Sequence, residues 1–272
     1  MLGQAIGNRL ASLVLLLFVQ RRRAADVDGA LADLVCAARD EGGEDECHGE
    51  RAHDGDLRYN DPMHRLHDNA SSGNAYKVRL MLTQLGIPFE RIEYDTDRGQ
   101  TRTPEFVAAK NPNGRIPVLE LPDGRCLPES NAILWYLAEG TPFLPSAEGQ
   151  GDQGGRWQRA QVLQWLFFEQ YSHEPNIATV RHWLTHGLEM TPERAAALPG
   201  KRKWGEAALA VMEQHLRGRR FFVGERYTIA DIALYAYTHV APEGGFDLAP
   251  YEALRAWLAR VAAEPRHLAI TD

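Results

Sequence analysis

Residues 111–133, NPNGRIPVLELPDGRCLPESNAI, put a proline at the head of an apolar strand and a Glu-Ser pair at the start of a helix. Together they suggest a ledge for an extended peptide. Pro117 has no N–H to give a sheet ladder, so its place before Val118, Leu119, Glu120 and Leu121 calls for a reason. A cis bond after Ile116 would turn the chain and leave the backbone N–H and C=O of Ile116 to pair with a ligand strand. An edge strand that merely opens on proline is the other reading. Ser130 falls in the first turn of a helix marked by Ile133, Leu134 and Leu137. Free N–H groups and the positive dipole end make such a turn a carboxylate site, and a serine hydroxyl adds a donor. A plain N-cap serine has the same signature.

Other reactive side chains narrow the chemistry. The three cysteines, Cys36, Cys47 and Cys126, are widely spaced and form no CxxC, which argues against a disulfide framework and for a reducing compartment, the cytoplasm. His182 and His186 stand one helical turn apart, and His64 and His67 lie near a strand. With no acid or cysteine at ligand spacing, they read as ordinary residues, and no metal is expected. A net charge of −7 leaves no basic footprint for nucleic acid.

The elements that must position these residues can be read on either side. His64 to Asp68 alternates as a strand, and Val78, Leu80, Met81, Leu82 and Leu85 mark a buried helix that Gly86-Ile87-Pro88 ends. A second strand runs from Phe89 to Tyr94, a helix lies near Pro104 to Ala109, and Asn111 to Gly114 make a turn. Asp123-Gly124 is a hairpin signal that pairs Val118 to Leu121 with Arg125 to Leu127. The order βαβ, α, ββ, α is the thioredoxin-like α/β arrangement. After a linker at 140–153, residues 154–272 read as all-helical.

On these motifs, residues 63–272 resemble a bacterial cytosolic glutathione transferase of the serine or S/T-x-N type. The resemblance implies that Ile116 and Pro117 hold the cysteinyl backbone of glutathione, that Glu129 faces its ammonium and Ser130 its γ-glutamyl carboxylate. Arg115 would reach its glycyl carboxylate, which a planar guanidinium suits. Glutathione is the implied co-substrate, a small electrophile the acceptor and a two-fold homodimer the assembly.

The family's catalytic position lies where the first strand turns into the first helix. Six residues before Val78 is Ser72, four before it is Asn74, and Ser71 competes because a one-residue difference in the turn would exchange the two serines. Glutathione attacks as thiolate. Lowering a thiol pKa from roughly 8.5 to roughly 6.5 takes about 2.7 kcal/mol. One charge-assisted hydrogen bond supplies about 1.5 to 3 kcal/mol, and a helix dipole roughly 0.3 to 1 more. A single hydroxyl therefore suffices. Glutathione-dependent disulfide reduction is the first alternative activity, and a glutathione- or protein-binding module without turnover is the second.

In the helical half, Trp165, Phe168 and Tyr171 exceed what one packing face needs and are candidates for the acceptor site. Thr228 and Asp231 read as a T-x-x-D capping box, a structural element. Residues 1–62 fall outside the pattern. They hold 12 acidic and 7 basic residues, a balance of −5 of the chain's −7, and the polar stretch 40–61 reads as disordered. The apolar run Leu10 to Val19 is about 15 Å long as a helix, half a bilayer core of about 30 Å. Native translation is expected to begin at Met63.

Overall fold

The computed structural model describes residues 63–147 and 154–272. The expectations for residues 1–62, including Cys36 and Cys47, and for 148–153 of the linker lie outside them.

The first half runs β1 (His64–Asp68), α1 (Gly73–Leu85), β2 (Phe89–Glu93), α2 (Pro104–Ala109), β3 (Val118–Glu120), β4 (Cys126–Pro128) and α3 (Ser130–Ala138). The sheet order is β2-β1-β3-β4, with β1 and β2 parallel and the other pairs antiparallel. This is the thioredoxin-like order that the periodicity predicts. Leu66 pairs with Leu119 and Leu119 with Leu127, so one face of the sheet carries the core. Ser72 caps α1, its Oγ accepting from the Ala75 N–H, and Gly86 ends the helix in the left-handed region at φ 69°, where a Cβ is costly.

The turn between β1 and α1 is pinned from outside. The Arg79 guanidinium donates to the carbonyls of Ala70 and, near the C-terminus, Ile270. Asp68 accepts from Arg91 at 2.8 Å, and Asn69 Nδ2 donates to the Tyr94 carbonyl. The loop that carries Ser71 and Ser72 is thereby tied to both neighbouring elements.

The second half is helical: α4 (Gly155–Phe168), a π-helical turn (Glu169–His173), α5 (Glu174–Thr185), α6 (Pro192–Leu216), α7 (Ile229–Thr238) and α8 (Glu252–Ala262). A π turn widens the helix, and here it precedes Pro175, where a bend is expected. It turns Glu169 and His173 fully inward. All of α7 is buried, which explains its apolar sequence on every side. Its capping box is complete. Thr228 Oγ1 accepts from the Ala230 N–H, and Asp231 accepts from the N–H groups of Thr228 and Phe222 and from Trp257 Nε1. One apolar cluster, from Leu66 to Val261, passes through both halves. Among the described residues no helix is long and apolar enough to cross a membrane.

Candidate active site

A cavity of about 240 Å³ opens between the two halves, lined by Ser71, Ser72, Ile116, Glu174, Arg181 and Tyr237 among others. The two serines differ in what their protons do. Ser71 Oγ donates to Asn69 Oδ1 at 2.7 Å, and the Ser71 carbonyl accepts from Arg181. Ser72 Oγ only accepts, from the Ala75 N–H at 3.3 Å, so its own proton is not committed to that cap.

Asn74, one turn into α1, is held at both ends of its amide. Oδ1 accepts from Lys77 Nζ at 2.8 Å and from Ser130 Oγ at 3.3 Å, while Nδ2 donates to Glu174 Oε1 at 3.2 Å. Lys77 and Glu169 form a fully buried ion pair at 2.9 Å behind it. Asn131 and Gln170 also donate to Glu169 Oε2. Burial, and then the charge of Glu169, raise the carboxyl pKa of Glu174. Burial and the charge of Glu174 raise the Tyr237 hydroxyl, whose oxygen accepts from the Asn74 N–H. The amide of Asn74 thus links the first turn of α1 to the first turn of α3.

The Ile116–Pro117 bond is cis, Ile116 lines the cavity and Pro117 is buried. Arg115 is exposed. Its carbonyl accepts from Asn111 Nδ2, and its charge reaches Glu174, whose carboxyl pKa it lowers slightly against the larger rise. Glu129 precedes α3 at φ 72°, unusual for a side chain larger than glycine, and is exposed.

The structure does not bring the three aromatic candidates to this cavity. Trp165 is buried against the rings of Phe168, His215 and Phe222, and Tyr171 is 87% exposed. None of them lines it. The cavity wall on that side is Ala178, Thr179, Arg181 and Tyr237. Sequence reasoning also passed over Lys77, Glu169 and Glu174. The available signal was Lys77 itself, a charge set among the buried Tyr76, Val78 and Leu80, because such a lysine needs a buried partner.

Comparison with known proteins agrees with this architecture. The glutathione S-transferase N-terminal domain model matches residues 71–139 and the C-terminal domain model residues 178–265. The glutathione S-transferase-like protein LUC7 of a Fusarium species is 32% identical over 66% of this chain and 80% of its own length. The disulfide-bond oxidoreductase YfcG of Escherichia coli is 29% identical over 72% of this chain and 89% of its own. The crystal structure of a glutathione S-transferase from Pseudomonas fluorescens superposes with a TM-score of 0.71 at 51% identity, covering 77% of this chain and all of that one. A thioredoxin-like half carrying the serine turn and cis-proline, an all-helical half behind it, and these matches across both make the chain a member of the glutathione S-transferase family.

Proposed function

We propose that this protein binds glutathione along the ledge from Arg115 to Ser130, with its sulfur toward the cavity that Ile116, Ser71 and Ser72 line, and conjugates that sulfur to small electrophiles. The observation that carries the reading is the uncommitted proton of Ser72 at the N-terminus of α1, beside a second serine whose proton is spent on Asn69. Ser72 donates to the glutathione sulfur, with Asn74 positioning the neighbouring turn, and the α1 dipole favours the thiolate. Ile116 and Pro117 hold the cysteinyl backbone, Ser130 the γ-glutamyl carboxylate, Glu129 the ammonium and Arg115 the glycyl carboxylate. Ser71 shapes the turn beneath the ligand. The thiolate attacks an electrophilic carbon, a C–S bond forms and the leaving group departs with the bonding pair.

Because Trp165, Phe168 and Tyr171 stand away from the cavity, the acceptor is assigned to the wall of Ala178, Thr179 and Tyr237. We place this activity in cytoplasmic detoxification by a homodimer. The exposed Phe167 and Tyr171 support an apolar contact face.

The test is conjugation of a chloronitrobenzene with glutathione. Turnover that falls at least tenfold in Ser72→Ala, and far less in Ser71→Ala, supports the proposal. A second reading, glutathione-dependent disulfide reduction, is favoured by the name of the E. coli relative. Reduction of a mixed disulfide without conjugation would establish it. Tight binding to immobilised glutathione with neither activity would mean a binding module.

A further inference from the structure

His182, on the last turn of α5, and His186, just beyond it, line the same cavity as Ser71 and Ser72. Asp97, from the loop after β2, stands against both. His186 Nδ1 is 2.8 Å from Asp97 Oδ2, and His182 Nε2 is 3.8 Å from Asp97 Oδ1. One ligand atom from each of the three residues falls within 4.8 Å of the others. Tetrahedral coordination with bonds of about 2.1 Å has ligand edges of about 3.4 Å. The three ligand atoms, all within 4.8 Å of one another, need to close by only about 1 Å to reach it.

The hydrogen bonds around His186 leave room for a cation here. Asn69 Nδ2 donates to the Tyr94 carbonyl, which fixes Asn69 Oδ1 toward Ser71, and Oδ1 takes both the Ser71 N–H and the Ser71 hydroxyl proton. His186 Nε2 lies 3.3 Å from Ser71 Oγ and can donate to it in the tautomer that carries the Nε2 proton. A neutral imidazole has only one proton. When that proton sits on Nε2, Nδ1 offers its lone pair 2.8 Å from an Asp97 carboxylate oxygen, an arrangement that a cation can bridge. A proton would satisfy His186 and Asp97 but leave His182 without a part. A metal ion uses all three groups.

We propose that Asp97, His182 and His186 bind one divalent transition-metal ion of the zinc class at the rim of the cavity. Two imidazoles and one carboxylate suit such an ion, whereas calcium and magnesium prefer oxygen alone. The ion would fasten the loop after β2 to the end of α5 and lock His186 in the tautomer that holds Ser71. A fourth position remains for water or an acceptor group. The site stands whether or not glutathione is the ligand.

The full-length protein, stripped with a chelator, is titrated with zinc chloride by calorimetry and with cobalt chloride by visible absorption. The same titrations are run on His182→Phe, Asp97→Asn and the double variant, each checked for native circular dichroism. Wild type is expected to take up one more tight equivalent than the double variant, to show tetrahedral cobalt bands and to melt at a higher temperature with zinc. Each single variant should bind that equivalent at least tenfold more weakly. Equal zinc uptake by wild type and double variant, or no uptake by wild type at micromolar zinc, would overturn the site and leave a proton between His186 and Asp97. Should His182→Phe misfold, Asp97→Asn alone decides by the same comparison.

Discussion

Asn74 and Ser130 lie 56 residues apart and meet at 3.3 Å, the serine hydroxyl donating to the amide oxygen. The contact joins the first turns of α1 and α3. A carboxylate arriving at Ser130 would draw that hydroxyl away from Asn74.

From this relationship Ser130→Ala should weaken glutathione binding about tenfold or more, the worth of one hydrogen bond to a charged group at about 1.5 to 3 kcal/mol. Tryptophan fluorescence titration measures it. The KM for the acceptor should stay unchanged if, as proposed, Ser130 holds only the γ-glutamyl end.

Ser72→Ala should raise the pKa of bound glutathione, visible as lost ultraviolet thiolate absorbance at neutral pH. A loss of about 1.5 to 3 kcal/mol corresponds to roughly a 10- to 100-fold slower reaction. The same change removes the α1 cap, so the melting temperature should also drop, by an amount reflecting about 0.5 to 2 kcal/mol. Ser71→Ala, whose hydroxyl already serves Asn69, should leave the thiolate signal in place. Loss of that signal in Ser71→Ala and not in Ser72→Ala would exchange their roles.

The Lys77–Glu169 pair is fully buried, so breaking it from one side strands a charge. Lys77→Met should destabilise the fold by about 3 to 5 kcal/mol in urea denaturation. The double change Lys77→Met with Glu169→Leu should recover most of that loss, since a pair of apolar groups needs no compensation. Activity should not return with stability, because Asn74 loses the ammonium that holds its oxygen.

His173 is fully buried, with Nε2 against Thr238 Oγ1, and burial pushes its pKa down to about 4 from an ordinary 6.5. The folded pKa lies below the unfolded one, so on acidification the unfolded chain takes the proton first. The stability associated with neutral His173 is whole above pH about 6.5 and is lost as pH falls toward about 4, where the folded protein also binds the proton. The total is about 3 kcal/mol at about 1.36 kcal/mol per pH unit. Unfolding free energies measured across that window should fall steeply for wild type and more gently for His173→Gln. Equal slopes would mean that other groups carry the acid sensitivity.

How much was legible beforehand depended on range along the chain. The strand His64–Asp68, the helix closed by Gly86, the Thr228–Asp231 box and the helix opening at Ser130 were all written in neighbouring residues, because caps and periodicity act within a few positions. The order of elements followed from them, and with it the thioredoxin-like arrangement. The aromatics of α4 and of the π turn after it were another matter. Trp165 and Tyr171 differ only in which way the helix faces once packed, and the π turn at Glu169–His173 rotates everything after it.

By itself the sequence determined the elements, their order and the residue types on the ledge from Arg115 to Ser130, since each of these rests on local sterics and hydrogen bonding. Tertiary structure decided which serine keeps its proton, that Lys77 meets Glu169, and that Asp97 faces His182 and His186. These are pairings between groups 85 to 92 residues apart or between hydroxyls one position apart. Periodicity is blind to both, because a contact across the cleft depends on how two finished halves share one core.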